Sequence, residues 1–215
     1  MTRLFLAVLL SAFAAISANA GLVPISYSMP NGDGGSYSGY TDDTYTSSNC
    51  PDCPGYLSGG LGQLTDGITV PSFFGIGEAF THNYPYMVGW LATSVTITAF
   101  FDGTQTFGSV GLHLSDSHGA AGIDLPTTIT IGGNQVFSPQ PQSSEIANEW
   151  HWFTLAPGTT GSSLSIQIER ANGSWTFMDE MEFTQADVSG TPEPGTIALA
   201  LSGLGLVGFL KRRGK

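Results

Sequence analysis

Between residue 21 and residue 190 the chain has no lysine and a single arginine, Arg170. The other basic residues stand at the two ends: Arg3, and then Lys211, Arg212, Arg213 and Lys215. Against that one arginine the middle stretch sets sixteen aspartates and glutamates. A surface of that sign repels phosphate backbones and anionic lipid, which excludes nucleic acid as a partner. It attracts divalent cations, and it also serves plain solubility outside the cell. Cysteine is almost missing too, with only Cys50 and Cys53 in Cys-Pro-Asp-Cys. One CxxC lacks the two further ligands that tetrahedral zinc needs. In an exported chain a local disulfide between Cys50 and Cys53 is the expected state. A thioredoxin-like redox site would open a helix in an alternating α/β pattern, and no such pattern is present.

Helical periodicity is absent from residues 21 to 190, where no amphipathic helix of three turns can be drawn. Catalytic signatures are missing as well. His82, His113, His118 and His151 show no HExxH or other zinc spacing, and neither GxSxG nor a P-loop occurs. Asp179, Glu180 and Glu182 lie close in sequence, but neighbours on one strand point to opposite faces. A glycosidase pair must flank the scissile bond from separated positions, about 5 Å or more apart.

What is present begins with the two ends. Met1 to Ala20 has Arg3, an apolar run from Leu4 to Ile16, and Ala18-Asn19-Ala20, the small-x-small pattern read by signal peptidase, with cleavage before Gly21. Residues 191 to 215 carry Pro192, Glu193 and Pro194, an uncharged run from Thr196 to Leu210, and then Lys211, Arg212 and Arg213. The prolines hold the entry extended. As a helix the apolar run covers roughly 22 Å, short of the roughly 30 Å hydrocarbon core, so it reads as a marginal transmembrane anchor. The basic cluster keeps to the cytoplasmic side and leaves the rest outside. This order of elements resembles the PEP-CTERM sorting signal of exopolysaccharide-producing diderm bacteria. That resemblance implies recognition by exosortase, inner-membrane anchoring by the C-terminal helix before processing, and then a place at the cell surface or in the extracellular matrix.

With the signal peptide (1–20) and the sorting segment (191–215) set aside, residues 21 to 190 form one domain with room for a substantial core. Residues 29 to 62 are rich in Gly, Ser, Tyr, Asn and Asp and read as a long loop or short irregular strands. Asn31 to Gly35 has the composition of a calcium loop but lacks the glutamate at the twelfth position, so a turn is expected. Beyond them apolar and polar residues alternate. Val95, Ile97, Ala99 and Phe101 oppose Thr96 and Thr98, and Leu164, Ile166 and Ile168 oppose Ser165, Gln167 and Glu169. Further strands are expected over Gly108 to Leu114, Thr127 to Ile131, Trp152 to Leu155 and Thr176 to Phe183. Many short strands with glycine-rich turns imply an all-β fold, an antiparallel β-sandwich.

Leu64-Thr65-Asp66-Gly67, Gly89-Trp90, Gly122-Ile123-Asp124-Leu125-Pro126 and Phe177-Met178-Asp179-Glu180-Met181-Glu182-Phe183 follow one another in order. The series resembles the galactose-binding-like jelly roll of discoidin and coagulation-factor C-type domains and of several carbohydrate-binding modules. The resemblance implies a structural calcium where the Asp-Gly loop meets the last strand, at Asp66 and Glu180 with the Gly67 carbonyl as a backbone ligand. Two plainer uses compete: Asp66 capping its own turn, and Glu180 pairing with Arg170. Asp179 poses a separate problem, since strict alternation sets it beside Phe177, Met181 and Phe183 on the core side. It needs either a bulge that turns it outward or a polar site of its own.

The residues suited to stacking on a sugar face are aromatic. Trp150 and Trp152, two apart, share one side of an extended strand, while Tyr84, Tyr86 and Trp90 form an aromatic group ahead of the first clear strand. The leading expectation is a non-enzymatic carbohydrate-binding module delivered to the surface or to exopolysaccharide. The alternatives are an acidic matrix or coat protein cross-linked by divalent cations, and a polysaccharide hydrolase for which no acid/base pair can be named.

Overall fold

The computed structural model describes residues 21–32, 41–42, 56–58, 62–72 and 86–186. The signal peptide, the Cys50–Cys53 pair, Tyr84 and the whole sorting segment lie outside the described residues. Ten strands run in chain order: β1 (Gly21–Leu22), β2 (Ser26–Pro30), β3 (Tyr56–Ser58), β4 (Val88–Trp90), β5 (Ser94–Asp116), β6 (Thr128–Ile131), β7 (Gln135–Phe137), β8 (Ala147–Thr154), β9 (Thr160–Glu169) and β10 (Thr176–Gln185). Every strand pairing is antiparallel. Helical structure among the described residues is limited to short 3-10 segments, at Gln63–Thr65, at Ala120–Gly122 and at Tyr86.

The strands divide into two sheets that share β5. Its first half pairs with β2 and β9, and its second half with β10 and β8. The change of sheet falls where the β9 register jumps from Phe100↔Ser163 to Gln105↔Gly161. Extra residues on one strand of an antiparallel pair bend it and increase its twist. Gly103, at φ +72°, takes the left-handed conformation that this corner demands. The strand expected from the alternation of Val95 to Phe101 and the one expected over Gly108 to Leu114 are therefore one bent strand. The expected strand at Trp152 to Leu155 starts earlier, at Ala147.

Alternation governs the first half of β5, where Val95, Ile97, Ala99 and Phe101 are buried while Ser94, Thr96 and Phe100 are exposed. They meet Leu164, Ile166 and Ile168 of β9, Val110, Leu112 and Leu114 from the second half of β5, and Met178, Met181 and Phe183 of β10 in one core. From Val110 onward both faces of β5 are buried. A second small core gathers Val70, Met87, Ile123 and Phe177, with Trp175 packed against it. Gly89 sits under the Phe177 ring, leaving no room for a Cβ.

Candidate functional site

The outer face of the β10–β5–β8 sheet gathers most of the residues singled out from sequence. In register across β5, Gly111 lies opposite Trp152 and His113 opposite Trp150 on β8, while Glu182 and Glu180 of β10 face the same two residues from the other side. Period two puts Trp150 and Trp152 on one face, and their rings stack with centroids 5.6 Å apart and planes 24° from parallel. Trp152 is 47% exposed. Its indole lies against the strand at Gly111, where a Cβ would come within 2.9 Å of three ring atoms. The missing side chain is what lets the ring lie flat. Gln142 buttresses this edge, its Nε2 donating to the Trp150 carbonyl at 2.5 Å and its backbone N–H to Glu149 Oε2 at 2.9 Å.

Beneath the aromatic pair sits a buried polar one. His113 packs on Trp150 at 5.0 Å between ring centroids, and its Nδ1 donates to Asp179 Oδ1 at 2.6 Å. The other Asp179 oxygen accepts the Val70 N–H at 2.7 Å. So Asp179 has both features expected as alternatives. The β10 register slips between Met178 and Glu180, and the residue at the slip is fully buried with partners of its own. Sequence reasoning missed His113 as that partner; a buried carboxylate in a chain nearly without lysine and arginine points to a histidine, but not to which one.

Glu180 follows directly on Asp179. Its Oε2 accepts the Gly67 N–H at 2.5 Å, and its Oε1 accepts the Met181 N–H at 3.2 Å. Burial first, and then the neighbouring Asp66 and Asp179 carboxylates, push its pKa up to about 8 despite those two N–H donors. Asp66 is raised by burial, with Asp42 and Asp179 adding to the effect. Asp66 Oδ1 also accepts the Ile68 N–H at 2.8 Å, the Asx-turn use, with Gly67 at φ +79°. Asp42, buried and bonded to the Tyr27 hydroxyl, joins this acidic neighbourhood. Glu180 does not pair with Arg170, whose Nη1 donates to the Ser174 carbonyl at 3.2 Å.

Asp66, Gly67 and Glu180 are thus brought together, but the loop turns the Gly67 amide, not its carbonyl, toward Glu180. Among the described residues no three of His, Cys, Asp and Glu are grouped to hold a metal ion. A cation here would take the two carboxylates and draw its remaining oxygens from backbone carbonyls and water, which calcium tolerates.

The other aromatic group is divided. Tyr86 is 43% exposed. Trp90 is a correction to the expected platform: it is 2% exposed, packs in the main core, and donates its Nε1–H to the Pro30 carbonyl at 2.9 Å. Pairing of β4 with β10 at Trp90↔Thr176 is what directs it inward.

The fold is an antiparallel two-sheet β-sandwich that presents the half-exposed Trp152, stacked on the partly buried Trp150, on one outer face. Residues 21–184 match the family described as "Discoidin domain-containing receptor 1/2, DS-like domain", and the chain belongs to it. Residues 191–214 match the PEP-CTERM protein-sorting motif, which implies export, processing by exosortase and sorting to the cell surface.

Among solved structures the chain is similar to the family 32 carbohydrate-binding module of Clostridium perfringens NanJ in complex with galactose. The identity is 11% and the TM-score 0.33, over 46% of this chain and 76% of that one. It is also similar to Streptococcus pneumoniae beta-galactosidase BgaA, at 10% identity and TM-score 0.44, over 77% of this chain and 98% of that one. A third, CpGH89CBM32-5 from Clostridium perfringens in complex with GalNAc-β-1,3-galactose, has 10% identity and TM-score 0.32, over 46% of this chain and 81% of that one. No curated protein sequence matches the chain.

Proposed function

We propose that the protein is a non-enzymatic glycan-binding module of the cell surface or extracellular matrix, with Trp152 and Trp150 as its sugar-stacking platform. The observation that carries this reading is the half-exposed Trp152 indole, held flat over Gly111 and backed by Trp150. The apolar face of a pyranose presents C–H groups that pack on such a plane, and the indole N–H and neighbouring Glu182 supply polar contacts at its rim. The His113–Asp179 pair is enclosed under Trp150 and the Val70 segment, with side-chain exposures of 8% and 0%, which supports a structural role for it and a binding function over catalysis.

The delivery route follows from the two ends of the chain. Signal peptidase would cut before Gly21, the Thr196–Leu210 segment would hold the inner membrane until exosortase acts near Pro192-Glu193-Pro194, and exopolysaccharide is the glycan within reach. Calcium is proposed at Asp66 and Glu180, where a divalent ion would relieve the crowding of carboxylates that raises Glu180.

Affinity electrophoresis of the full chain through gels containing the host's exopolysaccharide, with and without calcium, tests the reading. Retardation that Trp152→Ala abolishes is expected. Free migration of the wild type in every polysaccharide tried, or equal retardation of the variant, would overturn it. Calcium-dependent self-association without retardation would point to the acidic cross-linked coat protein.

A further inference from the structure

The second sheet turns an outer face away from the Trp152 platform, and that face carries an exposed aromatic ring among hydroxyl and amide side chains. Thr96, Thr98 and Phe100 of β5 and Ser163, Ser165 and Gln167 of β9 look outward, alternating with the buried Ile97, Ala99, Leu164 and Ile166. Phe100 is 38% exposed and stands opposite Ser163 in register, two residues along the strand from Thr98. Next to it opens a groove of ≈ 540 Å³, lined by Thr98, Ser163 and Ser165 together with the Gly132–Gln135 turn and the Ala156–Thr160 turn. That volume lies within the roughly 300–1,000 Å³ of small-ligand sites.

Two features define what the groove takes. All twelve residues lining it are uncharged, in a domain with sixteen carboxylates. An unbroken neutral lining in so acidic a domain suits a neutral ligand with many hydroxyls, and it offers nothing to a cation or a phosphate. The lining is also held in shape: Gln135 bridges the two turns, its Oε1 accepting the Ala156 N–H at 2.5 Å and its Nε2 donating to Thr159 Oγ1 at 3.2 Å. Beyond Ile131↔Ile166, where β6 stops, β9 continues to Thr160 with β5 as its one strand partner among the described residues. The Ser165 carbonyl on that edge accepts the Gly132 N–H at 2.9 Å, and past it no strand pairs with the outer edge of β9 among the described residues.

The geometry points to a second saccharide site, with Phe100 as its stacking face and the Thr98, Ser163 and Asn134 side chains as hydrogen-bonding groups for a neutral glycosyl unit. This rests on the glycan-binding reading above and deepens it. Sites on the outer faces of two opposed sheets make the module bivalent, so that one molecule ties two polysaccharide chains together, or two stretches of one chain. Linking two weak sites raises apparent affinity 10²-fold or more when both engage the same polymer.

The test is titration calorimetry of the full chain, purified in a polyoxyethylene detergent that carries no sugar, against maltohexaose, cellohexaose and β-1,4-galactohexaose. Wild type should bind two oligosaccharides per chain, Phe100→Ala and Trp152→Ala one each, and the double variant none. Ser163→Glu, an exposed position where the added charge leaves the core untouched, should behave as Phe100→Ala does. A stoichiometry of one in wild type that Trp152→Ala abolishes and Phe100→Ala leaves intact would overturn the second site while sparing the first. One site abolished by Phe100→Ala and untouched by Trp152→Ala would sink the Trp152 platform instead and leave this site standing. Heat of binding absent for all three sugars would remove both.

Discussion

Replacing Glu180 by glutamine should make the protein more stable at alkaline pH, and the size of the gain follows from its surroundings. Glu180 is 2% exposed and its pKa stands at about 8 instead of the ordinary 4.5. Between those values the folded protein holds a proton that the unfolded chain releases, so the unfolded state binds fewer protons and stability falls as pH rises. The slope approaches ~1.4 kcal/mol per pH unit, and the loss totals on the order of 4–5 kcal/mol once the pH passes 8, after which it levels off. Glutamine cannot ionise, yet its amide oxygen still accepts the Gly67 N–H. Urea unfolding followed by tryptophan fluorescence from pH 5 to pH 9 measures the difference. Wild type and Glu180→Gln should agree near pH 5 and separate steadily above it, the variant being the more stable. Calcium bound at Asp66 and Glu180 would favour the ionised carboxylate, so millimolar calcium should flatten the wild-type curve and leave that of the variant unchanged. Parallel curves for the two proteins in calcium-free buffer would refute the assignment of a buried, crowded Glu180.

Three further outcomes can be checked. Gly111→Ala should lift the Trp152 ring, whose outer atoms lie 2.9 Å from the new Cβ, and weaken glycan retardation several-fold while the melting temperature moves by only a few degrees, because a surface ring can swing aside. Asp179→Ala leaves the His113 Nδ1–H and the Val70 N–H without their acceptor in a buried place, and should cost about 3–5 kcal/mol in urea unfolding. Trp90→Phe keeps most of the core contact but loses the Nε1–H bond to Pro30; a loss of about 1–2 kcal/mol with unchanged glycan binding is expected, and loss of binding instead would return Trp90 to the platform.

The strand pattern was readable because both sheets obey period two wherever one face is wet. Val95 to Phe101 and Leu164 to Ile168 declare their inner faces residue by residue. The reading failed where that contrast disappears. Beyond Val110 both sides of β5 are buried, so residues such as His113 and Ser115 gave no hint of direction. The corner at residues 101 to 104 likewise divides a single strand into what looks like two. The site was legible in its local parts: Trp150 and Trp152 share a face by spacing alone, and Asp66 with Gly67 makes a turn by composition alone. Its long-range parts were not. Glu180 was matched to the loop through family resemblance, whereas the pairing of His113 with Asp179, and the flat seat that Gly111 gives Trp152, depend on register between strands far apart in sequence.

The acidic composition explains why the site is built this way. The one cation of the domain, Arg170, is engaged with a carbonyl at Ser174, so the buried Asp179 and Glu180 take their hydrogen bonds from the backbone of residues 67 to 70, from Met181 and from His113. The segment that begins at the Asp-Gly turn is in this way fastened to β10 through two consecutive carboxylates. Asp179 reaches past that loop to His113, His113 supports Trp150, and Trp150 supports Trp152. The exposed indole lies on Gly111 and stacks on Trp150, and Trp150 in turn packs on the hydrogen-bonded His113, so the buried polar pair stands two ring contacts away from the surface ring. A carboxylate placed among core residues is costly when left alone. Here its cost is offset by two donors, and its position is what couples the loop to the aromatic face.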